Sequence, residues 1–152
     1  MDNRDVRIAI LGPVEVRHGD DRSADDGQGP AVGLGGARLR MLLTRLALEP
    51  GRTIPAERLI DDLWEDDPPA GAPNALQSLV SRLRAAIGRE AIESRPGGYR
   101  LAVPREAVDA HEFEARVSSA RDIPDARARA SALREALALW RGPALADAAH
   151  LP

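Results

Sequence analysis

Cysteine is absent from the 152 residues, which removes disulfide scaffolds, thiol nucleophiles and every cysteine-based zinc or iron–sulfur site. Lysine is absent as well, so all 21 basic residues are arginine. A biased genomic composition accounts for this. Arginine's forked, planar donors suit phosphate and carboxylate recognition, but the bias is not itself a sign of that role. The three histidines, His18, His111 and His150, lie too far apart for a two-histidine helical metal site. No run approaches the roughly 20 apolar residues that a spanning helix needs. The start, MDNRDVRIAILG, lacks the basic and then apolar pattern of a secretory signal. The expectation is therefore a cytoplasmic protein with no metal, no cofactor and no membrane partner.

What is present suffices for a core. Hydrophobic residues make up 43% and charged residues 30%, and the length suits one ordinary domain plus a remainder. The net charge of −3 conceals a segregation. Glu57 to Asp67 carries six acids and one base, whereas Ala72 to Arg105 carries six arginines and two acids.

Val6 to Val16 alternates apolar and polar residues around a Gly12-Pro13 break, which predicts two short strands, and Ala31 to Leu34 suits a third. His18 to Pro30 is polar and rich in Gly and Asp, as in a loop. Three helices are expected at about Ala37 to Leu48, Pro55 to Trp64 and Pro73 to Ile87, the last stopped by Gly88. Ala91 to Val103 then flanks Pro96-Gly97-Gly98, a hairpin pattern. Strands, three helices and a hairpin are the plan of a winged helix-turn-helix, an α+β fold. From Val108 the composition turns to Ala, Arg and Glu. Two helices, Asp109 to Arg121 and Asp125 to Arg141, resemble the start of an incomplete all-α repeat-like array. The expected division is 1–105 and 106–152.

The third helix carries Leu76, Leu79, Val80, Leu83 and Ile87 in one apolar stripe. Opposite lie Asn74, Gln77, Ser78, Ser81 and Ala85, with Arg82 and Arg84 at the margins. Small and amide side chains let a helix sink into a major groove and bond base edges, while marginal arginines reach guanine or phosphate. An ordinary solvated helix face has the same appearance. The hairpin adds Arg95 before its turn, with Tyr99 and Arg100 just after it. An arginine on a narrow projecting turn suits a minor groove, and the combination favours double-stranded DNA as the partner.

GGARLRMLLTRLALEPGRTIPAERLIDDLWEDDPPAGAPNALQSLVSRLRAAIG and then SRPGGYRLAV resemble the OmpR/PhoB-type winged helix. More narrowly, they are similar to that of the Streptomyces antibiotic regulatory protein family. VDAHEFEARV and LREALALWRGPALAD resemble the first two helices of that family's bacterial transcriptional activation domain. The resemblance implies a transcriptional activator of secondary-metabolite genes that binds direct repeats near promoters, side by side as a dimer, within the nucleoid. It places Arg82 among base-reading positions, Arg84, Asn74 and Tyr99 at the backbone, and Arg95 in the minor groove. It also makes the loop of Trp64, Glu65, Asp66, Asp67, Pro68 and Pro69 a contact for RNA polymerase with its sigma factor. At the start of the first helix, family members commonly read GGPKQR where this chain has GGARLR, so a lysine contact is missing. No receiver domain is expected before the winged helix.

Two other classes compete. One is a helical protein-interaction module that uses the winged fold as a docking platform, with the acidic second helix facing a basic partner. The other is an enzyme. Asp61-Asp62 and Glu65-Asp66-Asp67 supply carboxylates but no pocket, nucleophile or histidine partner, and Gly33, Gly35 and Gly36 lack the GK[ST] ending of a phosphate loop. His111, at a helix start, reads as a surface or capping residue.

Overall fold

A computed structural model describes residues 6–18, 31–32 and 34–143. Most of the segment expected as a loop after His18 lies outside the described residues. Alternation at the start produces a pleated strand: Val6 and Ile8 face inward and Arg7 outward in β1 (Val6–Ala9). It pairs antiparallel with β2 (Glu15–His18), Val6 opposite His18 and Ala9 opposite Glu15. Strand β3 (Ala31–Val32) adds to the far side of β2.

Helix α1 (Ala37–Leu48) buries the expected stripe of Leu39, Leu42, Leu43 and Leu46. The next segment departs from expectation. Thr53–Pro55 forms a strand, β4, that pairs with the second wing strand, so the wing is a three-stranded sheet. Pro55 ends β4 and caps α2 (Ala56–Trp64), which therefore begins one residue later than the sequence suggested. Helix α3 (Ala72–Ile87) follows, and the wing hairpin consists of β5 (Ile92–Arg95) and β6 (Gly98–Leu101) in the sheet order β4-β6-β5. Gly98 is required by this third strand. A Cβ there would stand 2.1 Å from the Ile54 carbonyl oxygen, so no side chain fits between β6 and β4.

Burial drives the helices together, and one partly buried ion pair links α1 to α2. Arg45 of α1 donates through Nε to Asp62 of α2 at 2.8 Å and through an Nη to Glu49 at 2.8 Å. Burial works against the Arg45 charge, but hydrogen bonds and attraction from Glu49 and Asp62 outweigh it and raise its pKa. The Arg45 hydrogen bond is the main cause holding Glu49 below the usual carboxylate value. Breaking such a pair from one side leaves a charge uncompensated.

Helices α4 (Asp109–Arg121) and α5 (Ala126–Leu137) pack against each other, and α4 also packs against β1. Asp109, the first residue of α4, accepts the backbone N–H of Ile10 at 2.7 Å and of Leu11 at 3.1 Å. Val108 forms a parallel bridge to Ile8. Helix α5 was expected to reach Arg141 but stops at Leu137. Pro143 disfavours helix in the residue before it, and Arg141 turns its N–H to Leu11 (2.8 Å) and an Nη to Pro13 (2.7 Å). Gly12, at φ +136°, gives this segment room: a Cβ would lie 3.1 Å from that of Arg141. Trp140 consequently leaves the helical stripe and meets Phe113 edge to face, centroids 5.5 Å apart. His111 is neither a surface nor a capping residue, as expected from sequence, but is buried with Nε2 donating to the Ala47 carbonyl at 3.1 Å. The end of α1 closes over it, a contact that local sequence does not encode.

Burial is the leading influence on the Asp109 carboxyl and raises its pKa; the amide bonds and Arg141 pull the other way without cancelling it. Asp109→Ala leaves two buried N–H donors unpaired and is expected to lower the unfolding free energy by about 3 kcal/mol, read from urea melts. The stability linked to the Asp109 proton is full below its ordinary value of 3.8. It fades as pH rises through the higher folded value. The gap between wild type and variant should therefore narrow over that interval.

Candidate nucleic-acid interface

The left-handed Gly71 (φ +75°) starts α3. From there the apolar spacing sends Ala72, Leu76, Leu79, Val80, Leu83 and Ile87 inward. The opposite positions, Asn74, Gln77, Ser78, Ser81, Arg82 and Ala85, are all exposed on one face. Arg82 extends along α3 toward the start of α1 and bonds the Gly35 carbonyl loosely, at 3.4 Å. A bond of that length to an exposed carbonyl is readily exchanged for a better acceptor.

The wing lies beyond the end of α3. Arg95 is exposed and precedes the Pro96-Gly97 turn, in which Gly97 takes φ +79°. The remaining candidates are engaged within the wing. Arg84 is half-buried, its Nε donating to the Ile92 carbonyl at 3.1 Å and an Nη to the Ser94 hydroxyl at 2.9 Å. It ties α3 to β5. Arg100 pairs with Glu93 on the neighbouring strand, and its Nε is buried without a partner. Tyr99 is half-buried against the core. The structure thus gathers Asn74, Gln77, Ser78, Ser81 and Arg82 into one face, sets Arg95 apart on the wing, and gives Arg84, Tyr99 and Arg100 positions inside the wing's packing.

Glu65, Asp66, Asp67, Pro68 and Pro69 are exposed between α2 and α3. Glu65 has φ +50°, the single positive φ outside glycine among the described residues, which turns the chain sharply out of α2. Trp64 is half-buried, and the Arg38 guanidinium lies 5.6 Å from its ring centroid, within cation–π range. Arg38, Leu39, Trp64, Ser78, Leu79 and Arg82 contribute to an open groove of about 800 Å³ between the start of α1, the end of α2 and α3. GGARLR does not lose the cation expected to be missing at the start of α1: Arg38 supplies one there. Its place one residue past Gly36-Ala37 was the available signal. Among the described residues no cluster of three or more His, Asp or Glu side chains is arranged to hold a metal ion. No helix among them is long and apolar enough to cross a membrane.

A tri-helical unit with two antiparallel sheets, an exposed polar helix and an arginine-tipped hairpin defines a winged helix-turn-helix of the α+β class. The family model "Transcriptional regulatory protein, C terminal" matches residues 34–101, and "Bacterial transcriptional activator domain" matches 108–151. In both stretches the chain is similar to transcriptional regulators of the Streptomyces antibiotic regulatory protein family. It is 37% identical to Transcriptional regulator RedD of Streptomyces coelicolor, over 94% of this chain and 41% of that protein. It is 30% identical to Regulatory protein DnrI of Streptomyces peucetius, over 93% of this chain and 54% of that one. Among solved structures it is similar to Mycobacterium tuberculosis EmbR in complex with a low affinity phosphopeptide. The TM-score is 0.77 at 28% identity, covering 97% of this chain and 39% of that chain. The chain thus spans about half or less of the length of these relatives.

Arg84→Ala removes two bonds between α3 and β5. Amide exchange at Ile92, Glu93 and Ser94 is expected to quicken by a factor of about ten, corresponding to roughly 1–1.5 kcal/mol of lost local protection. Exchange measured by mass spectrometry checks it, with the α1 amides unchanged as the control.

Proposed function

We propose that this chain is a transcriptional activator that binds double-stranded DNA sequence-specifically, at direct repeats near promoters, and recruits RNA polymerase. The observation that carries this reading is the continuous exposed face of Asn74, Gln77, Ser78, Ser81 and Arg82 on α3, with the exposed Arg95 on the adjoining wing. The face is flat enough for the helix axis to lie deep in a major groove, where Asn and Gln pair with adenine and Arg with guanine. Arg95, on its glycine turn, is suited to the neighbouring minor groove, whose negative potential is highest where it is narrow. Two copies side by side account for a repeated operator. The family relationship supports secondary-metabolite genes as targets and the nucleoid as the place of action.

Asp66 and Asp67 are exposed in the turn between α2 and α3, and their carboxylates would be repelled by phosphate. An exposed acidic turn beside the promoter suits a basic protein surface, and polymerase with its sigma factor is the partner we assign to it. Footprinting on genomic fragments, followed by duplex titration at several salt concentrations, tests the reading. Protected direct repeats and a steep fall of affinity with salt are expected. Absence of any protected site would overturn it.

Arg82→Ala is expected to weaken the specific site by about 1–3 kcal/mol and to relax preference at one or two base pairs. Competition with unrelated duplex checks this, since an equal loss on both would make Arg82 a backbone contact. Asp66→Ala combined with Asp67→Ala should leave operator affinity within about threefold, less than 1 kcal/mol, while lowering transcription in a reconstituted assay. Unchanged transcription would move the activation surface elsewhere.

A further inference from the structure

Ser81, Arg84, Ala85 and Arg89 line a cleft of about 240 Å³ at the end of α3. We propose that this cleft seats one phosphate of the DNA backbone, held by Arg89; the assignment rests on the reading of α3 in a major groove and the wing in the next minor groove. Neighbouring grooves of a duplex are separated by a sugar–phosphate strand. A protein with a helix in one groove and a hairpin in the next must straddle that strand. Here α3 and β5 are joined by Arg84, and the cleft lies beside that link.

The chemistry of the cleft matches an anion. Its lining residues are neutral or cationic, and no carboxylate is among them. Arg84 crosses to the wing through Nε and one Nη, bonding Ile92 and Ser94. Its other Nη has no bond to any described residue. Gly88, at φ +114°, turns the chain out of the helix and sets Arg89 on the rim. Arg89 is exposed and makes no hydrogen bond or ion pair with the described residues, unlike Arg45 and Arg100, which are committed to carboxylates. The Ser81 hydroxyl can donate to a phosphate oxygen from the opposite wall. The volume holds a phosphodiester group and a few waters, each water occupying about 30 Å³.

The full chain is titrated with its footprinted duplex and with an unrelated duplex over a range of salt. Arg89→Ala should lower affinity about three- to tenfold on both and reduce the log–log salt slope by about 0.9, the share of one phosphate. Arg89→Lys should recover most of the loss. A duplex carrying a neutral methylphosphonate between the two grooves should bind wild type weakly and show no further loss with Arg89→Ala. Unchanged affinity and slope for Arg89→Ala on the natural duplex would overturn the proposal. So would an undiminished loss on the methylphosphonate duplex, which would put the contact elsewhere. Binding of millimolar inorganic phosphate that depends on Arg89 but leaves duplex affinity unchanged would make the cleft a site for free phosphate and overturn the assignment to DNA. A wild-type chain that binds no duplex at all would instead overturn the DNA-binding reading beneath it. Arg89 is exposed, so thermal melts of the variant should match wild type and exclude misfolding as the cause.

Discussion

The carboxylate of Asp109 reaches from the first turn of α4 to the amides of Ile10 and Leu11, where β1 gives way to the turn toward β2. Those two donors would otherwise be buried without a partner at the end of a strand, and the one carboxyl group satisfies both at once. Arg141 grips the other side of the same turn through the Leu11 and Pro13 carbonyls and the Glu15 carboxylate. The helical pair is therefore fastened at both of its ends to one turn of the N-terminal sheet. Gly12 makes the double grip sterically possible. The sheet in turn closes one side of the core on which α1 and α3 rest, so the orientation of the recognition helix depends on it.

Arginine is the only basic residue type in this chain, and the structure sorts its copies by what they already hold. Arg45 is enclosed by Asp62 and Glu49 and works as a strut between α1 and α2. Arg84 and Arg100 stiffen the wing, one against α3 and one against Glu93. Among the described residues Arg95 and Arg89 hold no such partner, and both face solvent. Arg82 has one weak carbonyl contact. A guanidinium spent on an internal carboxylate has lost most of its attraction for an external phosphate, whereas an exposed one retains it. Arg82, Arg89 and Arg95 lie on α3, just past its end and on the wing, which fits the net positive charge of that stretch and leaves the acidic charge to α2 and the loop that follows it.

The wing also owes its rigidity to a strand outside the hairpin. An isolated two-stranded hairpin is marginally stable in water. Here β4 pairs with β6, and Gly98 permits an approach to Ile54 that no other residue would allow. The strand ends in Pro55, which begins α2 directly. The helix-turn-helix and the wing are consequently joined through three consecutive residues, and a recognition helix and an arginine turn held this way keep a fixed spacing.

Periodicity alone determined much of this molecule. The leucine stripes of α1 and α3, the stops at Gly51 and Gly88, and the wing turn at Gly97-Gly98 are local signals, set by backbone sterics and by the burial of one face. From them followed the α+β winged helix and the polar face of α3. Motif likeness added the family. Tertiary structure decided what local pattern leaves open. Thr53–Pro55 is too short and too proline-marked to read as a strand, and becomes one because β6 offers its free edge. His111 is polar and lies at a helix start, yet is buried because Ala47 supplies an acceptor far away in sequence. Arg84 looks equivalent to Arg82 on a helical wheel, but Ile92 and Ser94 lie within its reach and Arg82 has no wing beside it. Sequence spacing fixes the direction in which a side chain leaves its own helix. What it meets there depends on elements brought close by folding, and only that meeting separates an arginine committed to the fold from one left available to a ligand.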